Sequence, residues 1–228
     1  PPLAALRNPG AAWRYGDKTL EEMIRHPNDV SVTGWAIQAL VAAREAGLDI
    51  DDQALADAYI FVAEMTDPIT GRTGYFERGA TPARPPDGTE TWPWDRSESM
   101  TAAALLCRIL LDPGLRLRDN AAAFEKGVEL VLALPPTWIG EDGSRLERVD
   151  YYSFYYGSRA LALSGGPEAV AWRDALIEMV VDHGIEKHDA CGSWDPAMGP
   201  WGQVGGRVYS TAMMTMALLA MADVTGDD

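Results

Sequence analysis

Residues 29–50 read DVSVTGWAIQALVAAREAGLDI, and this stretch decides the fold. Within 31–46, Val32, Trp35, Ala36, Ala39, Leu40 and Ala43 recur at the spacing that puts apolar side chains on one face of a helix. Gly47 follows where a helix stop is expected, since glycine enters a left-handed C-terminal cap without steric cost. Outward from it, residues 52–65 carry Leu55, Tyr59 and Val62 behind an Asp-Asp start suited to a helix dipole. Residues 101–111, TAAALLCRILL, are apolar almost all round and predict a helix buried on most sides, as do residues 209–221. Residues 120–134 and 167–181 are amphipathic, and 153–164 predict a further inner helix. Nothing sustains strand alternation, so the expected fold class is all-α.

Apolar and amphipathic helices alternate along the chain. A pair with one buried and one half-exposed member, repeated, predicts a two-layer helical array. The inner helices share a register: DVSVTGWAIQAL from Asp29, SESMTAAALLC from Ser97, DYYSFYYGSRAL from Asp150 and RVYSTAMMTMAL from Arg207. Aligning Thr33, Thr101, Tyr155 and Thr211 gives intervals of roughly 55 to 70 residues. Loops with a glycine and an aromatic lie between them: AAWRYGD, GRTGYF, TWIGEDG and CGSWDP. Each is expected to turn a helix end and plug a ring under the next pair. The first precedes any complete pair, so the chain is expected to begin inside a repeat.

The 34 acidic residues outnumber the 19 basic ones, for a formal charge of −15, which excludes the basic face a nucleic-acid binder needs. Hydrophobic residues make up 47% and charged ones 23%, so the chain can bury a core rather than stay disordered. No apolar run reaches the roughly 20 residues of a membrane helix, and no secretory leader is read. The missing initial Met leaves a removed segment or a longer parent open. Cys107 and Cys191 are too few for a disulfide framework.

These segments, above all 29–50 and GSWDPAMGPWGQVGGRVYSTAM, resemble the α/α toroid superfamily. It includes terpene and squalene cyclases, protein prenyltransferase β subunits, thioester domains of complement-like proteins, and bacterial proteins with prenyltransferase and squalene-oxidase repeats. The resemblance implies one domain over 1–228, a partial toroid of helix hairpins. The helix pairs are fewer than a closed ring of that superfamily holds. The resemblance therefore implies a fragment, or an array completed by another segment or chain.

The superfamily's catalytic signatures meet this sequence at only some of their positions. Class II cyclases resemble one another in an Asp-x-Asp-Asp acid motif, and Asp49-Ile50-Asp51-Asp52 matches it literally. It precedes an outer helix, where acidic capping explains it. The position that corresponds is Asp29-Val30-Ser31-Val32, with Ser31 in place of the proton donor. The prenyltransferase zinc site is similar around Tyr152-Ser153-Phe154-Tyr155, but its Cys, Asp and His positions are Tyr151, Val149 and Ser210, and Asp150 is one residue out of place. The thioester Cys-Gly-Glu-Gln segment shares only two residues with Cys191-Gly192-Ser193-Trp194. Asp182, His183, His188, Asp189 and Cys191 cluster in sequence. Helix capping by His183 and solvation of the rest account for them, so no metal and no cofactor are expected.

Candidate acids remain at inner-helix starts or nearby loops: Asp29, Asp51, Asp150 and Asp195, with Glu98 beside them. Paired carboxylates across a groove are what a carbohydrate-active enzyme uses, although capping alone attracts Asp to such positions. Trp35, Tyr152, Tyr155, Trp194, Trp201 and Tyr209 fall at or near the same starts, either as core fillers or as a ligand-binding rim. The expected function is a prenyltransferase- and squalene-cyclase-like repeat domain without the catalytic motifs. It would bind a small apolar ligand or a protein partner at that aromatic rim. A cyclase-like enzyme using an Asp as general acid is the alternative, and a carbohydrate-active enzyme a second one.

Overall fold

The computed structural model describes residues 12–15, 28–82, 92–138, 149–183 and 191–225. Among these residues seven α-helices form: α1 (Val30–Glu45), α2 (Asp52–Met65), α3 (Ser99–Leu111), α4 (Arg118–Leu132), α5 (Tyr151–Ser164), α6 (Gly166–His183) and α7 (Gly202–Met221). Two single 3-10 turns, Trp94–Arg96 and Pro196–Met198, accompany them. No strand occurs among the described residues; an isolated bridge joins Thr66 to Thr73. The chain is all-α, as its periodicity requires.

Six of the seven helices keep close to the expected ends. The seventh starts earlier than its apolar pattern, at Gly202, and is interrupted by Gly206 at φ +64°, a conformation glycine reaches freely. The short piece 202–205 is therefore a separate helical turn, set at an angle to the rest of α7.

The layers follow the alternation of apolar and amphipathic segments. Helices α1, α3, α5 and α7 pack in succession, each against the next. Outside them, α2 packs on α1 and α3, α4 on α3, and α6 on α5 and α7. From Ser99 to Arg108 every residue of α3 is buried, and so is every residue of α5 from Tyr151 to Ser158, which is why neither shows a polar stripe. The core has two parts. Ile37, Leu40, Val41, Leu55 and Val62 pack between α1 and α2, and a larger cluster joins α3 through α7, with Leu110 touching both.

Two close fits fix the spacing of the layers. Gly157 lets Trp172 of α6 lie against α5, and the indole N–H donates to Ser158 Oγ at 2.9 Å. Arg108, buried in α3, donates to Asn120 Oδ1 on α4 and to Thr66 Oγ1 after α2, both at 2.7 Å. Three elements thus meet on one guanidinium, whose fixed fork suits several acceptors at once.

The glycine–aromatic loops recur in one role. Trp13 N–H donates to Thr33 Oγ1 at 3.1 Å, Thr73 N–H donates to Thr101 Oγ1 at 3.2 Å, and Ser210 Oγ donates to the Trp194 carbonyl at 2.7 Å. In each case a loop backbone is hooked onto a hydroxyl near the start of an inner helix. Of the remaining loop, Thr137 and Trp138 are described, and Trp138 packs edge-on to Tyr151.

Candidate ligand-binding site

The starts of the inner helices are drawn together by carboxylates and hydroxyls. Asp29 caps α1, accepting from Val32 N–H at 2.7 Å. Asp150 caps α5 through Tyr152 N–H (3.1 Å) and Ser153 N–H (3.2 Å), and its other oxygen accepts from Ser97 Oγ at 2.7 Å, just ahead of α3. Glu98, before α3, accepts from Thr101 Oγ1 at 2.7 Å and pairs with Arg72. Ser31 on α1 and Tyr152 on α5, 121 positions apart, share a hydrogen bond of 2.8 Å.

A cavity of about 470 Å³ opens where these starts converge. Ser31 and Trp35 come from α1, Ser99 and Met100 from α3, Tyr152 from α5, and Val204, Gly205, Tyr209 and Met213 from α7. Tyr15, Tyr75 and Trp201 complete the lining from loops. Among the described residues, six of the twelve that line it are therefore aromatic, and none is cationic. Val204 (80% exposed) and Tyr15 (63% exposed) mark the open rim.

Behind this wall aromatic rings pack on one another. Trp35 stacks on Tyr155 with centroids 5.3 Å apart and planes 11° from parallel, and Tyr156 meets it edge-on. Gln38 of α1 donates to Tyr156 OH at 3.1 Å and accepts from Tyr155 OH at 2.7 Å and from Arg159. This polar knot joins α1 to α5.

Asp29 is 3% exposed and adjoins the cavity wall. Burial pushes its carboxyl up to about 6, opposed chiefly by the hydrogen bond from Val32 N–H. The loops that carry Tyr15 and Tyr75 are fastened here by backbone: Asp29 N–H donates to the Trp13 carbonyl at 3.0 Å, and Val30 N–H to the Tyr75 carbonyl at 2.8 Å. Burial likewise raises the phenols of Tyr75 and Tyr152, and both stay protonated at neutral pH.

The structure brings together four of the six aromatic residues singled out in the sequence, Trp35, Tyr152, Trp201 and Tyr209. Tyr155 stands one layer behind, and Trp194 is buried against α7, its carbonyl held by Ser210. The four candidate acids separate. Asp29 adjoins the cavity and Asp150 is occupied as a cap. Asp51 is exposed at the start of outer helix α2, where it accepts from Gln53 N–H at 3.0 Å. Asp195 caps the turn at Pro196 through Ala197 N–H, and its carbonyl accepts from Tyr151 OH at 2.7 Å. His188 and Asp189 lie outside the described residues, as do the side chains of Asp182 and His183; Cys191 is exposed. Among the described residues no three His, Cys, Asp or Glu side chains gather in a metal-binding group.

The wall contributed by Tyr15, Tyr75, Met100 and Met213 was not picked out in the sequence. The two tyrosines sit in AAWRYGD and GRTGYF, loops expected to plug rings beneath the next pair. The aromatic in each loop was thus a signal, but its direction was not.

No family model matches this chain, and no curated protein does either.

Proposed function

We propose that the chain is a helical-repeat domain of the prenyltransferase and squalene-cyclase kind, part of an α/α toroid. It binds a small, largely apolar ligand in the aromatic cavity and does not carry out the chemistry of that superfamily. One observation carries the reading: helix starts distant in sequence meet around a single cavity with six aromatic side chains. A concave apolar site with a few converging hydroxyls is what a small-molecule pocket needs. Rings supply area without much loss of side-chain entropy. The stacking of Trp35 on Tyr155 supports a ligand seated at the end of the array where the inner helices start.

The test is native mass spectrometry and tryptophan fluorescence of the full chain with geraniol, farnesol and squalene. Saturable one-to-one binding of at least one, weakened by Tyr209→Ala, is the expected result. Absence of saturable binding to all three refutes the proposal. Incubation with squalene or farnesyl diphosphate is expected to leave both unchanged.

One observation favours a second reading, a cyclase-like enzyme with Asp29 as general acid. Its carboxyl adjoins the cavity and is raised to about 6, near the range of working acids. That reading requires product formation from an isoprenoid substrate, abolished in Asp29→Asn.

A further inference from the structure

We infer that the ligand accepted by this cavity carries a methylated ammonium group on an apolar body. The inference rests on the cavity being a ligand site and specifies the chemistry of its occupant. Tyr15, Trp35, Tyr75, Tyr152, Trp201 and Tyr209 present rings, and among the described residues no Lys, Arg or His shares the lining. The face of an aromatic ring is its negative side. A cation over it gains roughly 0.5–1 kcal/mol when exposed and about 2 when desolvated.

Helix starts oppose this, since each offers at most about half a positive charge. At α1, α3 and α5, however, that charge is met by a buried carboxylate: Asp29, Glu98 and Asp150. Of these, Glu98 is paired with Arg72, and Asp150 is taken up by its capping bonds and by Ser97. Among the described residues no cationic side chain pairs with Asp29, and the neighbouring Ser31 and the Tyr75 that accepts from Val30 N–H both line the cavity.

The same arrangement selects among cations. A primary ammonium has three N–H donors to satisfy. The carboxyl of Asp29 is buried and accepts from Val32 N–H, and in the lining the hydroxyls of Ser31 and Tyr152 are already paired with each other. A trimethylammonium group has no N–H, carries its charge on methyls, and needs only ring faces.

The experiment is a titration of the full chain with benzyltrimethylammonium, its neutral carbon isostere neopentylbenzene, and benzylammonium. Binding is followed by the fluorescence of the cavity tryptophans and by calorimetry. Benzyltrimethylammonium is expected to bind about tenfold tighter than either of the others. Asp29→Asn and Trp201→Leu are each expected to lower its preference over the neutral isostere. If the isostere binds equally well or better, or if neither variant changes the ratio, the inference fails while the apolar pocket stands. If none of the probes and none of the isoprenoids binds, the pocket reading fails with it.

Discussion

The indole of Trp172 lies across Gly157, so close that a β-carbon at position 157 would come within 2.5 Å of Cζ2. Trp172 is fully buried on α6, and its N–H is held by Ser158, so the ring has nowhere to retreat.

Gly157→Ala is therefore expected to destabilise the fold. In an exposed helix the change would stabilise by about 1 kcal/mol. Here overpacking of about 1–3 kcal/mol opposes it, and urea denaturation should show a lower midpoint. A variant as stable as the parent would mean that α5 and α6 are not in this contact.

Asp29 gives the fold a pH dependence of defined sign. Its carboxyl is raised from 3.8 to about 6 in the folded protein, which therefore holds the proton more tightly than the unfolded chain does. Stability from this group is fully present below the unfolded value and is lost as pH rises through about 6. It amounts to about 3 kcal/mol at most, at 1.36 kcal/mol per unit. Asp29→Asn keeps a capping side chain and removes the titration. The difference in melting temperature between parent and variant should change between pH 4 and 7 and be flat above it. A constant difference across that range would contradict the burial of this carboxyl.

Asp150 is expected to act as a cap. Asp150→Ala loses two backbone partners on α5 and the hydroxyl of Ser97, at a cost of about 2 kcal/mol. Asp150→Asn should recover most of it. Thermal melts of the two variants separate this role from a chemical one. A ligand-binding defect in Asp150→Asn at unchanged stability would assign the carboxylate to the ligand instead.

The sequence made the helices and their layers legible, for a physical reason. A helix buried on all sides must be apolar on all sides, and α3 and α5 had no other pattern to show. Trp35, Tyr152 and Tyr209 could be picked out as wall candidates because each lies near the start of an inner helix. Tyr15 and Tyr75 could not, because a loop residue's direction depends on what the loop is fastened to, here the backbone N–H groups of Asp29 and Val30. The first turn of α7 was also hidden. Gly202, Gly205 and Gly206 erase the helical period that the rest of α7 displays. The pairing of Gln38 with Tyr155 and Tyr156 joins positions more than 100 residues apart, and no local pattern announces such a pair.

That pair supports a fourth expectation. Gln38→Leu leaves two tyrosine hydroxyls and Arg159 without their shared partner in a buried site. Its cost should be about 2–4 kcal/mol, more than an amide lost from the surface. Urea denaturation of Gln38→Leu, compared with the double variant Gln38→Leu/Tyr155→Phe, measures the coupling. Additive effects would place Gln38 outside the knot.

The break at Gly206 divides labour within the cavity wall. Its other sides are carried by helices packed into the core and by the Tyr15 and Tyr75 loops, whereas Trp201, Val204 and Gly205 ride on one turn beyond the break. Gly202 and Gly205 are fixed within it, because a β-carbon would meet the Pro196 carbonyl oxygen at 1.5 Å or Tyr209 Cβ at 2.5 Å. Trp201 and the exposed Val204 are the positions whose exchange retunes which molecules enter while the rest of the chain keeps its packing.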